Sequence, residues 1–116
     1  MKFGHVEIFV KDPVRSRDFY ESVLGFKVID IQDELFVWLK SDEFHLLLRP
    51  GNPAESSAEY SSSNTGFVLY TDDLPGTVER LQANGLRFNG NDGSEKCPTF
   101  RDPDGNWFQL VNPNDH

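Results

Sequence analysis

The sequence has little of three things: cysteine, positive charge and long apolar runs. Its 116 residues include a single cysteine, Cys97, which excludes an internal disulfide framework. The 11 Lys and Arg against 19 Asp and Glu give a net charge of −8, which argues against a general nucleic-acid-binding protein or attraction to anionic membranes. No apolar run approaches the roughly 20 residues of a membrane span, and the first residues lack the apolar stretch of a signal peptide. We therefore expect a cytoplasmic protein without nucleic-acid or membrane partners.

Aromatic residues compensate for a modest apolar content. Hydrophobic residues make up 37% of the chain, but ten Phe, three Tyr and two Trp contribute 13%. Each such side chain buries on the order of 150–250 Å², so a hydrophobic core is feasible. At roughly 150 residues per domain, the length predicts a single domain over residues 1–116.

The two halves of the chain repeat one order of features. HVEIFVKDP in the first half corresponds to GFVLYTDDL in the second, which aligns His5 with Gly66 and Asp12 with Asp73. Alternating apolar residues predict a strand in each segment, and the aspartate is suited to cap the helix that follows. Gly25 and Gly85 are each placed to end that helix.

Each half is therefore predicted to have the order of secondary-structure elements βαβββ. Module 1 covers about residues 1–50, a linker covers 51–64, and module 2 covers about 65–113. The later predicted strands are Phe26–Ile31, Leu35–Lys40 and Phe44–Arg49 in the first half, and Leu86–Asn89, Cys97–Arg101 and Asn106–Val111 in the second.

The segment between the halves, GNPAESSAEYSSSN, has one bulky residue, Tyr60. Long segments of this composition are either flexible linkers or lids over a site. Because no chemistry is visible in it, the linker is the favoured interpretation.

Two longer motifs carry a family resemblance. DFYESVLGF, beginning at Asp18, and FRDPDGN, beginning at Phe100, resemble signatures of the vicinal oxygen chelate superfamily, which includes glyoxalase I, bleomycin resistance proteins and extradiol dioxygenases. The resemblance also draws on His5, Asp12 and the Asp-Asp-Leu beginning at Asp72. It implies an α+β fold in which two βαβββ modules form a half-open barrel around a cavity, and a homodimer.

The resemblance also implies where a divalent metal ion would be bound. Family members supply His from the first strand, Glu from the last strand of module 1, His from the first strand of module 2 and Glu from the final strand. The matching positions here are His5, Leu47, Gly66 and Gln109, so one ligand of four remains. We expect no cofactor on this basis. If a metal does bind, His5, Glu7 and His45 form the candidate set, because two His and one carboxylate make a recognised open site.

Without a metal, the chain resembles the bleomycin-resistance branch, which binds a flat, cationic drug between aromatic rings. Strand alternation and this resemblance together predict a ligand-binding wall of His5, Glu7, Phe9, Trp38, His45, Tyr70, Trp107 and Gln109. The ligand expected is a small organic molecule, planar or cationic. The alternatives are a metal-dependent lyase or dioxygenase with an atypical metal site, and a structural or regulatory protein without either activity.

Catalysis without a metal stays open at this point. His5 beside Glu7 could serve as a general base. Arg49 and Arg101 are candidates for holding an anionic group, although a surface role suits Arg101 better. Cys97 has no base near it in the sequence, and we expect a buried, inert thiol.

Overall fold

The computed structural model describes all 116 residues, which form two compact units, Met1–Ala54 and Glu55–His116. The elements of the first unit are strand β1 (Val6–Val10), helix α1 (Pro13–Asp18), which continues as a π-helical turn (Phe19–Val23), and strands β2 (Lys27–Gln32), β3 (Phe36–Ser41) and β4 (Phe44–Pro50). Their sheet has the order β1-β4-β3-β2, with β1 parallel to β4 and the other pairs antiparallel. The predicted order of elements is confirmed for this half.

Helix α1 begins where the sequence predicts. The Asp12 carboxylate accepts a hydrogen bond from the backbone N–H of Arg15 at 3.2 Å, and Pro13 occupies the first helical position. Gly25 has φ +80°, a conformation that other residues rarely adopt, and it turns the chain from the helix into β2.

The two faces of the first sheet differ in burial. Ile8 and Val10 are buried, as are Val37, Leu39, Leu46 and Leu48 on the neighbouring strands, and α1 contacts β3 and β4. Successive side chains of a strand point to opposite faces, so His5, Glu7 and Phe9 lie on the other, open face. The predicted alternation of side chains along β1 is confirmed.

The second unit has fewer strands. Its elements are a 3₁₀ turn (Tyr60–Ser62), strand β5 (Phe67–Tyr70), helix α2 (Leu74–Ala83), strands β6 (Thr99–Arg101) and β7 (Trp107–Val111), and a second 3₁₀ turn (Pro113–Asp115). The sheet order is β5-β7-β6, with β5 parallel to β7 and β6 antiparallel to it.

Neither helix of the protein has the length and apolar character that a membrane crossing requires.

The predicted strand Leu86–Asn89 is wrong. Asn89 donates a backbone hydrogen bond to the carbonyl of Thr99 at 2.7 Å, but only an isolated bridge between Asn91 and Pro98 follows. Asparagine and glycine are poor strand formers. Gly90, between Asn89 and Asn91, has φ +77°, which interrupts the pairing of a strand. The second unit is therefore βαββ. Neither of the two sheets closes on itself, so the half-open barrel stays a prediction.

Part of the predicted linker is a structured portion of the second unit. The Ser56 hydroxyl donates to the carbonyl of Gly105 at 2.8 Å, and the Trp107 indole donates to the carbonyl of Ser57 at 3.0 Å. Gly105 has φ +91°, and a side chain there would overlap Ser56. Short side chains and one glycine let this segment lie directly on the turn that precedes β7.

Candidate functional site

An ion pair lies on the open face of the first sheet. Arg49 donates from Nη1 to Oε1 of Glu7 at 3.0 Å, and Nε2 of His5 lies 3.1 Å from Oε2 of the same carboxylate. The register of β1 with β4 explains why Arg49 reaches Glu7, since Glu7 lies opposite Leu47 and Arg49 lies opposite Phe9. Both oxygens of Glu7 are therefore engaged within its own unit.

Aromatic rings surround this ion pair. The Arg49 guanidinium lies 5.3 Å from the ring centroid of Phe9 and 5.9 Å from that of Phe36. The His5 ring meets Trp38 edge-on, with 4.7 Å between the centroids. Cation–π contacts at these distances are favourable and help to hold the guanidinium in place.

The hydrogen bond from Arg49 lowers the pKa of Glu7 below its ordinary value of 4.5, and the hydrogen bond with His5 acts in the same direction. As the pH falls below 4.5, the unfolded chain therefore takes up the Glu7 proton before the folded chain does. The stability that Glu7 contributes is complete above that pH and is lost as the pH falls through the lowered pKa of the folded state.

We expect Glu7→Gln to remove this acid-dependent part of the stability. In thermal melts between pH 7 and pH 3, the melting temperature of the wild type should exceed that of the variant near neutral pH, and this difference should shrink as the pH falls. Glu21→Gln removes an exposed carboxylate from the same unit and is the matched control. Its melting temperature should change with pH as that of the wild type does. A gap between wild type and Glu7→Gln that stays constant to pH 3 would contradict the ion pair.

The first unit does not fit a divalent metal ion. A guanidinium occupies one oxygen of Glu7, and a positive charge at this distance opposes a second cation there. His45 is exposed and pairs with Lys40 across the sheet. No group of three His, Cys, Asp or Glu side chains in the structure could hold a metal ion, so His5, Glu7 and His45 are not assembled as a site.

A tyrosine fills the corresponding place in the second unit. The Tyr60 hydroxyl accepts a hydrogen bond from the Gln109 amide at 3.0 Å. A Cβ atom added at Gly66 would overlap that same hydroxyl, so a side chain at the position aligned with the family's second histidine would have to displace Tyr60. The two implied ligand positions of this unit therefore present a phenol and an amide, which are weak ligands for a divalent ion.

The second unit also contains an open pocket of about 670 Å³. Its lining is Val68, Tyr70, Asp92, Gly93, Ser94, Cys97, Gln109, Val111, Pro113 and His116. Tyr70 is 74% exposed, and the Gln109 amide reaches Asp92 at 3.5 Å. The pocket combines apolar walls, an aromatic ring and one carboxylate, as small-molecule sites commonly do.

The predicted ligand wall has residues in both units. His5, Glu7, Phe9 and Trp38 share the open face of the first sheet. Tyr70 and Gln109 line the pocket of the second unit. Trp107 is 3% exposed, with Arg101 stacked 5.0 Å from its ring centroid and Tyr60 at its edge, so it offers no open face for stacking.

Sequence reasoning missed three residues of these sites. Asp92 and His116 lie outside the predicted strands, and no pattern in the sequence brings them to the pocket. Tyr60 did leave a signal, because it is the one bulky residue in a serine-rich segment. The sequence makes Arg49 a candidate for holding an anionic group, and in the structure its guanidinium pairs with the Glu7 carboxylate.

Comparisons with known proteins agree with this fold. A family model described as the Glyoxalase/Bleomycin resistance protein/Dioxygenase superfamily matches residues 2–110. A lactoylglutathione lyase of Pseudomonas putida is 30% identical, over 96% of this chain and 84% of the relative. The crystal structure of UcmS2 is 28% identical with a TM-score of 0.72, covering 95% of this chain and 96% of the other.

A more distant structure shows the same fold with a metal. It is a mutant of the fosfomycin resistance protein FosX from Listeria monocytogenes, complexed with Mn(II) and a dihydroxypropylphosphonic acid. It is 18% identical, with a TM-score of 0.70, over 95% of this chain and 88% of the other. The family model spans nearly the whole chain, and the motifs around Asp18 and Phe100 lie within it. The chain therefore belongs to the glyoxalase/bleomycin resistance protein/dioxygenase superfamily.

Proposed function

We propose that this protein binds a small, planar organic cation in the pocket of the second unit, without a resident divalent metal ion. The observation that carries the proposal is a pocket of about 670 Å³ that is lined by both the Asp92 carboxylate and the exposed ring of Tyr70. A carboxylate attracts the charge of such a ligand, and an aromatic face attracts both its charge and its plane.

The rest of the pocket favours the same ligand class. Its lining contains neither lysine nor arginine, and Asp92 is its one acidic side chain. Val68 and Val111 supply apolar wall, while Gln109 and Ser94 supply polar groups that could orient a ligand. The net charge of −8 raises the local concentration of cations around the protein.

Binding without a metal is supported by the contacts of the residues considered as metal ligands. In the first unit Arg49 holds Glu7, and in the second Tyr60 fills the space at Gly66. The relative from Pseudomonas putida is named a lactoylglutathione lyase. The residues of this chain do not support carrying that activity over, because three of the four implied metal ligands are replaced.

We expect Asp92→Asn to weaken the binding of N-methylquinolinium, a planar cation, by about tenfold or more. Charge-assisted interactions contribute roughly 1.5–3 kcal/mol, and 1.4 kcal/mol corresponds to a factor of ten. Isothermal titration calorimetry measures the change. Glu79→Gln removes the same charge from the exposed surface of α2, and this control should bind the cation as the wild type does.

Two comparisons make the proposal falsifiable. Quinoline has the same rings without the fixed charge and should bind more weakly than N-methylquinolinium; equal affinity would contradict the cation site. Titrations with and without a chelator should agree. Binding that requires Zn, Ni, Fe or Mn would instead favour the metal-dependent lyase or dioxygenase.

A further inference from the structure

The single cysteine of the chain contacts a histidine inside the pocket. Sγ of Cys97 lies 3.6 Å from Nε2 of His116, and both residues line the cavity of the second unit. A cysteine becomes an effective nucleophile when a neighbouring base takes its proton. The sequence predicts an inert thiol because this base is 19 residues away along the chain.

Hydrogen bonds order the loop that carries Cys97 and the turn that precedes His116. The N–H of Cys97 donates to the carbonyl of Ser94 at 3.0 Å, and the N–H of Asp92 donates to the carbonyl of Cys97 at 2.9 Å. The 3₁₀ turn that precedes His116 is capped by Asn112, whose side-chain oxygen accepts from the N–H of Asn114 at 3.0 Å. The loop around the thiol is therefore internally bonded, and the exposed His116 imidazole follows an ordered turn and contacts the thiol at 3.6 Å.

The surroundings of the thiol suit an uncharged organic electrophile. Cys97 is only 7% exposed, so a reagent reaches it through the pocket. Val68, Val111 and Pro113 give that pocket an apolar wall, and the Ser94 hydroxyl offers a hydrogen-bond donor for a carbonyl oxygen. The chain has no second cysteine, so it cannot resolve a mixed disulfide by itself.

We infer that Cys97 and His116 form a nucleophilic site for a small α,β-unsaturated carbonyl compound. His116 accepts the thiol proton at Nε2, and the sulfur forms a bond to the β-carbon of the ligand. The electron pair of the C=C bond moves toward the carbonyl to form an enolate. The imidazolium then returns a proton to the α-carbon, so the addition needs no oxidant, reductant or leaving group.

This inference rests on the proposed function in one respect, since it requires the same pocket to admit small molecules. It assigns that pocket a second class of ligand, which is captured covalently. The cation site at Asp92 and the thiol site at Cys97 can be tested separately, because each has its own probe.

The test is the rate at which acrylamide alkylates the protein at pH 7, followed by intact mass spectrometry. A free thiol is only a few per cent thiolate at this pH, so loss of the neighbouring base should slow the reaction about tenfold in His116→Gln. His45→Gln, which removes an exposed histidine from the other unit, should react at the wild-type rate. Cys97→Ser should form no adduct.

A second readout separates activation from simple access. Added imidazole should restore part of the rate in His116→Ala, and in urea all variants that keep Cys97 should react equally. A native rate that does not depend on His116, or a rate no faster than that in urea, would overturn the inference. If N-methylquinolinium binds normally while the thiol rate is independent of His116, this inference alone fails. A His116-dependent rate without cation binding would overturn the proposed function alone.

Discussion

Phe108→Ala is expected to lower the free energy of unfolding of the second unit by about 3–5 kcal/mol. Phe108 is 1% exposed and stacks on Phe100 with 5.2 Å between ring centroids and an interplanar angle of 5°. Phe67 packs against it with a centroid distance of 5.1 Å. Truncation removes the middle ring of this cluster and leaves a cavity that the short strands β5 and β6 cannot fill. The total free energy of unfolding of a domain is roughly 5–15 kcal/mol, so this loss is a large fraction of it.

Urea denaturation followed by tryptophan fluorescence measures this effect. Each unit contains one tryptophan, so a Trp38→Phe background leaves Trp107 as the reporter of the second unit. Phe44→Ala is the matched control, because Phe44 is 52% exposed, and it should change the free energy by no more than about 0.5 kcal/mol. Equal midpoints for the two variants would mean that the stacked rings do not form the core of this unit.

Asp102→Ala is expected to cost about 2–4 kcal/mol, because the carboxylate organises the turn before β7. Asp102 is 4% exposed. It accepts hydrogen bonds from the N–H of Asp104 at 2.9 Å, and from the N–H and the amide of Asn106 at 2.8 Å each. Removal of the acceptor leaves these donors without their partner in a part-buried turn. The same turn bears Gly105, on which Ser56 lies, so the segment carrying Tyr60 should loosen as well.

The conservative variant separates the hydrogen bonds from the charge. Asp102→Asn keeps one oxygen acceptor and should lose less stability than Asp102→Ala in the same urea titration. Asp72→Ala, at an exposed position, should stay within about 0.5 kcal/mol of the wild type. In Asp102→Ala, faster proteolytic cleavage between residues 55 and 64 would report the loosened segment. Cleavage at the wild-type rate would show that Asp102 does not support it.

Local patterns predicted most of the first unit. Alternation placed Ile8 and Val10 in the core and His5 and Glu7 on the open face, and the Asp12-Pro13 pair marked the start of α1. These features depend on residues close together in the chain, where propensity and period are informative. The same approach failed at Leu86–Asn89, because the pairing there is decided by a distant strand and by the Gly90 turn rather than by the segment's own residues.

The sequence by itself determined the family, the order of elements in the first unit and which residues stand at the implied metal-ligand positions, because each is read from residue identity and local pattern. Only the tertiary structure decided the contacts that these residues and Glu7 make. Arg49 reaches Glu7 because β1 pairs with β4, and Tyr60 reaches Gly66 and Gln109 because a serine-rich segment lies on the second unit. The contact between Cys97 and His116 likewise joins two loops. Such long-range contacts leave no periodic trace in a single sequence, since each is formed by chain segments that meet only on folding.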